Sequence, residues 1–547
     1  MLQEFSFALR RLRKSPGFTI LAILTLALGI GVTTAVFTLV DSVILQPLAY
    51  RNSGQLVVAW ERVKYLGPGF PYTGPSPRHA EIWQQRAAAF SSLSLVRHGV
   101  TGFTLGHEHP RLIGVLIATP NLLDTLGIKP VLGRGLQPAD AVRGRDKVAL
   151  INSDLWRSAF GSNPNVIGKT IRLSGTPLTV IGVLPPSFHF PSDFGASLSR
   201  STTVDTQVLT PAVIDRDHSF GWNSDYGNWT AIGRLKPGVT IRQAQAQLDS
   251  LQQEIVREMP PSERDDSPNS LLAYVQPMQD AVVGESRKGL WLLLAAVGGL
   301  MLIACVNLAN AQLGRAISRE REAAVRSALG ASRAQLLRSS LAESLLLAAA
   351  GGAAGLLFAT QILDLFQRLS PVDLPRIAEI HINGPVLIFA TVLTLASTII
   401  FGIAPTLKLL TVDSQAALQQ NNNRTQGSRR SRQARYWLIG VQVFACTALL
   451  LVTGLLTSSL WHLLTSDKGF SSAQITAAQV ELQNVGNQKD SNRLAFDDAV
   501  LDKLRSLPGS SLPLFLVPCR SKAKHGSIAS TSLATRQRIR LWPTGAG

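Results

Sequence analysis

The sequence predicts a multi-pass α-helical membrane protein with an α+β domain exported between its first and second spans. Three observations lead there. Five separate apolar runs are long enough to cross a bilayer, a folded polar block of roughly 250 residues lies between the first two, and Lys and Arg concentrate in alternate loops.

The runs are Phe18 to Val40, Gly289 to Leu313, Leu341 to Phe366, Pro385 to Leu410 and Tyr436 to Leu464. Each exceeds the ~20 residues needed to span a hydrocarbon core of about 30 Å. Basic residues of short loops are retained on the cytoplasmic side. Residues 1–17 carry Arg10, Arg11, Arg13 and Lys14, which places the amino end inside. Parity then puts two more basic segments inside: 314–340, with Arg315, Arg319, Arg321, Arg326, Arg333 and Arg338, and 411–435, with Arg424, Arg429, Arg430, Arg432 and Arg435. The loop after the third span holds Arg368 and Arg376 against Asp373 and Glu379, and belongs outside. The first run is too long for the apolar core of a signal peptide and no small-x-small site closes it, so it reads as an anchor.

The net charge of +18 therefore reports topology and calls for no nucleic-acid partner. Cys305 and Cys446 fall inside spans and Cys519 in the tail. The exported block, 41–288, is cysteine-free and must stand on its hydrophobic core alone.

Within that block, Lys147 to Ile151, Lys169 to Leu173 and Thr176 to Leu184 read as strands, punctuated by Gly175, Pro177, Pro185 and Pro186. From Thr240 to Met259 the period changes, with Ile241, Ala244, Leu248, Leu251, Ile255 and Met259 spaced by three and four. That is an amphipathic helix covering a sheet, entered through the turn Lys236-Pro237-Gly238. The run Gly161 to Thr170 ends like a phosphate-binding loop, but Asn163 stands where the pattern needs its first glycine. It reads as a turn into the strand near Lys169.

Catalytic and metal-binding patterns are scarce. His107 and His109 flank Glu108 with no cysteine partner, and there is no nucleophile elbow, His-Glu-x-x-His helix or Rossmann glycine set. The chain reads as no enzyme, with no cofactor and no metal of its own.

The segment Gly314 to Ser344 has helical composition at its centre. Ala324, Ala328 and Ala331 make a small-residue face opposite Arg319, Glu322, Arg326 and Arg333, and Gly330 interrupts it. Such a helix at the membrane surface docks into a groove on a soluble partner or lays its arginines on anionic lipid, and physics alone leaves both open.

The stretch Arg319 to Arg333, followed by Ala342-Glu343-Ser344 and Gly351-Gly352, resembles the FtsX-like permease segment of MacB-type ABC transporters. The exported block resembles their periplasmic core domain in Asp41 to Leu48, Leu126-Gly127-Ile128 through Pro130 to Gly133-Arg134, Leu155-Trp156 through Phe160-Gly161, and Val180 to Pro186. The likeness implies a bacterial cytoplasmic-membrane permease, amino end inside, in which a cytoplasmic ABC ATPase moves the spans and the motion reaches the periplasmic domain. It places the ATPase-coupling role on Glu320, Glu322, Arg326, Gly330 and Ala331. ATP is then implied on the ATPase alone, with a periplasmic adaptor and a dimeric or pseudo-dimeric permease as further partners. Residues 1–17 leave no room for a fused ATPase, so a separate chain is expected. A rival reading is a non-transporting signalling or scaffold protein that regulates a periplasmic partner.

Leu438 to Phe470 resembles the opening of a second half in duplicated permeases of the acidobacterial orphan type. Residues 465–547 then look like the start of a second exported domain, with a short amphipathic helix from Leu494 to Leu507, and the likeness stops after Gly509. The chain is accordingly expected to be incomplete at its carboxyl end, and a non-functional truncated permease is a further alternative. In the spans, Ala27 with Gly31, Gly31 with Ala35, and Gly351 with Gly355 are small-x-x-x-small pairs that permit close helix approach. Asn307 and Asn310 can hydrogen-bond between helices. Glu343 lies near the inner mouth of the third span, where snorkelling is cheap, so no proton-relay role is assigned to it.

Overall fold

The computed structural model describes residues 2–64, 72–104, 111–188, 190, 205–214, 221–222, 227–265, 267, 269–284, 286–318, 333–369, 380–410, 429–465 and 490–506. The chain divides into two compact units, one from residues 1–47 and 283–477, the other from residues 48–282 and 478–547.

In the first unit, α1 (Leu2–Arg13) runs into α2 (Pro16–Val40) through Lys14 and Ser15, with Pro16 at the first helical position of α2, where its missing N–H costs nothing. A π-helical turn, Asp41–Leu45, ends α2.

The second unit is a ten-stranded mixed sheet: β1 (Leu56–Val63), β2 (Phe90–Thr104), β3 (Arg111–Ala118), β4 (Leu132–Gly133), β5 (Val148–Ile151), β6 (Thr170–Leu173), β7 (Thr176–Val183), β8 (Thr206–Pro211), β9 (Thr230–Leu235) and β10 (Leu271–Pro277). Its order is β10-β1-β9-β2-β3-β8-β5-β7-β4, with β6 joined to β2 and β7. The β10-to-β3 half is antiparallel throughout, whereas β3 with β8 and β5 with β7 are parallel pairs. Helices α3 (Pro77–Arg86), α4 (Leu122–Leu126), α5 (Ser153–Phe160), α6 (Ile241–Glu258) and α7 (Met278–Val283) complete it.

The three strands read from sequence are β5, β6 and β7. The β6–β7 hairpin turns on Ser174 and Gly175, both at positive φ, which matches the twist of a two-residue hairpin. The periodic helix is α6, started by Thr240 and Gln243, each accepting a hydrogen bond from the other's backbone N–H. Ala244, Leu248, Leu251 and Ile255 seal one core against Val57, Ala59, Trp83 and Trp229. The Gly161-to-Thr170 run is a turn: Gly161 closes α5, Pro164–Val166 make one tight turn, and the Lys169 ammonium lies 5.9 Å over the Phe160 ring. The other seven strands escaped the sequence reading, and β1 shows one physical reason. It is buried on both faces, so no apolar–polar alternation is written into it.

Returning to the first unit, α8 (Ser286–Ser318), α9 (Arg333–Leu369), α10 (Gly384–Leu410) and α11 (Arg429–Thr465) contain the other four apolar runs. Helices α2, α9, α10 and α8 close a four-membered ring in that order, and α11 lies against α8. The ring's centre is filled by Leu26, Ile30, Met301, Cys305, Leu347, Ala348 and Phe401. Phe37 and Phe389 stack 3.9 Å apart between α2 and α10. A further helix, α12 (Asp490–Arg505), stands where the sequence places one from Leu494 to Leu507.

Candidate coupling and helix-packing sites

Small residues set the tightest contact in the ring. A methyl group added at Gly31 would sit 2.8 Å from the Gly355 carbonyl oxygen and 3.0 Å from Phe358. One added at Gly355 would meet the Ala27 carbonyl at 3.0 Å and the Gly31 nitrogen at 3.1 Å. Gly351 is pressed against Leu26, whose Cβ would lie 2.5 Å from such a methyl. The Ala27-Gly31-Ala35 face of α2 and the Gly351-Gly355 face of α9 therefore touch backbone to backbone, an approach that only small residues permit. Thr33 adds a 3.4 Å hydrogen bond to the Val297 carbonyl of α8.

Asn307 on α8 accepts a 2.6 Å hydrogen bond from the Gln442 side chain of α11. Asn310, one turn on, is half-buried.

Each end of the ring holds a buried carboxylate. At the end where α8 stops and α9 starts, Glu343 is 7% exposed, so it does not snorkel. Its Oε2 faces Arg11 at 3.9 Å and its Oε1 faces Arg315 at 3.8 Å. Arg315 also donates to the Ser15 hydroxyl and lays its guanidinium 4.1 Å over the Phe18 ring. The arginines supply locally the neutralisation that water would give an exposed carboxylate. At the opposite end, Asp41 is 4% exposed and accepts from Gln46 Nε2 at 2.9 Å and Asn383 Nδ2 at 2.7 Å. Asn383 simultaneously caps α10, its Oδ1 accepting from the Val386 N–H. Sequence reading missed both clusters because one partner in each, Arg11 for Glu343 and Asn383 for Asp41, lies hundreds of residues away. The available signal was an ionisable residue inside or beside a span.

Glu320, Glu322, Arg326, Gly330 and Ala331 lie outside the described residues, between the end of α8 at Ser318 and the start of α9 at Arg333. So do His107, Glu108 and His109. Among the described residues, no three His, Cys, Asp or Glu side chains are grouped to hold a metal.

In the sheet domain, the motif glycines Gly133 and Gly182 pair across β4 and β7, and a Cβ on Gly133 would strike the Ile181 carbonyl. Arg134 grips Asp140 with two parallel hydrogen bonds of 2.6 and 3.0 Å. The Arg134 bonds, with the Gln137 N–H, hold the Asp140 carboxyl below its usual range despite desolvation. A second polar node is fully buried: Glu61 Oε1 lies 2.8 Å from His79 Nδ1 and accepts from Gln252 Nε2 at 2.8 Å. It ties β1, α3 and α6 through their shared core.

Residues 19–251 match the MacB-like periplasmic core domain, and residues 294–413 match the FtsX-like permease C-terminal domain. The chain belongs to the MacB/FtsX-like ABC permease family. This permease is a multi-pass inner-membrane protein with a MacB-type α+β periplasmic domain between its first and second spans. It is 28% identical over 228 residues to a protein of Bdellovibrio bacteriovorus named macrolide export ATP-binding/permease protein MacB, across 42% of this chain and 32% of that one. With the Pseudomonas aeruginosa pyoverdine export ATP-binding/permease protein PvdT it shares 26% identity over 273 residues, 50% of this chain and 37% of that one. The permease thus spans about a third of the length of the curated relatives it matches. The crystal structure of the periplasmic region of MacB from Actinobacillus actinomycetemcomitans aligns with 42% of this chain and 91% of that one, at 14% identity and a TM-score of 0.29.

Proposed function

We propose that this permease works in an ABC system in which a cytoplasmic ATPase docks on residues 319–332 and moves the helix ring, and that the motion reaches the periplasmic domain to export or extract a substrate. The observation that carries the reading is connectivity. The docking segment joins α8 to α9, α9 meets α2 backbone to backbone, and α2 leads through Asp41–Leu45 into the periplasmic domain at Leu48. Glu320, Glu322, Arg326, Gly330 and Ala331 are assigned to the docking surface. ATP is bound by the partner, and the amino end is cytoplasmic. The relatives' names concern macrolide and pyoverdine export, two chemistries different enough that neither is carried over as the substrate.

Co-expression with a cognate ATPase tests this. The wild-type permease should co-purify with it and stimulate hydrolysis. Arg326→Glu should weaken both at unchanged membrane level, since a charged surface contact is lost and no span is altered. Equal binding and stimulation by Arg326→Glu would refute the docking assignment. A periplasm-only reporter fused after Glu263 should be active and one fused after Gln426 silent; activity at Gln426 would invert the topology.

A further inference from the structure

The Glu343 cluster has no part in the docking surface, yet it lies between the two helices that carry that surface. Arg315 is in the last turn of α8, before residue 319, and Glu343 is in the third turn of α9, after residue 332. Its other partner, Arg11, belongs to α1, where Ala8 and Leu12 are buried. Ser15 and Phe18, which hold the far side of Arg315, sit at the elbow between α1 and α2. One carboxylate thus gathers α8, α9 and the α1–α2 elbow, each carboxylate oxygen facing a different guanidinium. At 3.8 and 3.9 Å the pairs act by charge rather than by tight directional bonds, so they tolerate small sliding. Separation is another matter: removing one partner of a buried pair strands an uncompensated charge, which is strongly unfavourable.

We infer that Glu343 is a positioning residue whose paired arginines make α8, α9 and the α1–α2 elbow move as one body, so that displacement at residues 319–332 is delivered to α2. The inference rests on the docking role proposed above for its second half, the delivery of ATPase motion. Its first half, the locked elbow, stands on geometry alone. Without the lock, a push on the docking segment could splay α8 from α9 or swing α1 aside, and α2 would receive little of it.

The experiment uses the full chain in membrane vesicles, with its native cysteines replaced and a reporter cysteine at the buried position Ala8→Cys. Maleimide labelling of that cysteine should be slow with Glu343 in place. Glu343→Gln should raise the labelling rate at least fivefold, and the charge-conserving Glu343→Asp, which can still face both Arg11 and Arg315, should keep it within twofold of wild type. With the ATPase present, Glu343→Gln should leave co-purification unchanged and lower stimulation at least fivefold, and Glu343→Asp should retain it. A merely structural role would not separate binding from stimulation. Labelling and stimulation unchanged by Glu343→Gln would overturn the inference. If the wild-type chain neither binds nor stimulates an ATPase, the functional proposal fails and labelling alone decides the lock. Should Glu343→Gln fail to accumulate, Arg11→Gln carries the test, since it unties α1 while leaving Glu343 paired with Arg315. Labelling at position 8 at least fivefold faster in Arg11→Gln supports the lock, and an unchanged rate would overturn it.

Discussion

Helices α2 and α11 are both long, apolar and preceded by arginines, and they end in opposite environments. More than half of the spanning window of α2 (56%) is buried by protein, against none of that of α11. Hydropathy does not explain the contrast, since α2 is the more hydrophobic of the two, 2.4 against 1.6. Side-chain size does. Lipid is as apolar as leucine, so a span gains little by exchanging lipid for a bulky neighbour and gains contact only where backbones approach closely. Helix α2 presents Ala27, Gly31 and Ala35 on one face to Gly351 and Gly355. Helix α11 leaves bulky residues exposed, including Phe444, Leu450, Leu451, Leu455 and Trp461. The periplasmic and permease family matches end before α11 begins.

The largest expected effect breaks this contrast at its source. Gly31→Leu or Gly355→Leu must push α2 from α9, because even a single added carbon would already meet backbone atoms at about 3 Å. Overpacking of this kind costs ~1–3 kcal/mol or more. A Cβ added at Gly454 in α11 meets nothing within 4 Å, so Gly454→Leu should stay within about 0.5 kcal/mol of wild type. Thermal unfolding of the detergent-purified chain reads both. If Gly31→Leu and Gly454→Leu melted together, small-residue packing would not be what separates the helices.

An intermediate effect is expected at the domain end of the ring. Asn383→Ala removes a donor from the buried Asp41 carboxylate and the cap of α10 together. Hydrogen bonds to charged groups contribute about 1.5–3 kcal/mol, so the ring should lose roughly that much. Asn383→Asp preserves the cap and sets a second carboxylate beside Asp41, which should be worse still. A smaller loss for Asn383→Asp than for Asn383→Ala would show that the cap, and not Asp41, is what Asn383 serves.

The same physics marks what could be read from residues alone. Five spans were legible because length and hydropathy are local properties, and so was α6, whose 3.6-residue period starts at a capping pair. The β6–β7 hairpin was legible through Gly175. Strand β1 was not, because burial on both faces erases alternation, and Gln252 on α6 was not, because a buried polar residue looks like a misplaced surface one until Glu61 is found opposite. In the ring, the small residues were visible but their mates were not: Gly31 and Gly355, with residues 48–282 between them in the chain, meet only in the folded protein. Glu343 and Asp41 were visible as charges near spans, whereas Arg11 and Asn383, their partners, are fixed by tertiary packing that no local pattern encodes.

The smallest effect concerns the hold on α11. Among the described residues its one side-chain hydrogen bond to another helix is Gln442 to Asn307, 2.6 Å. Such bonds between membrane helices average only about 0.6 kcal/mol, because an unfolded span also finds partners in the bilayer. Asn307→Leu should therefore leave the melting of the α2–α9 ring almost unmoved while loosening α11. Disulfide cross-linking between α8 and α11 isolates the second part. Cysteines at Leu302 and Leu451, exposed positions about half a turn round the two helices from Asn307 and Gln442, serve as a reference pair for random collision, and a pair at Cys446 and Ala304→Cys, each about one turn along from that bond, samples the docked face. Asn307→Leu should bring the second yield down toward the first, with ring stability constant. A ring that melts along with the loss of this one bond would mean that α11 is an integral fifth member, and the contrast with α2 would reduce to a difference in exposure.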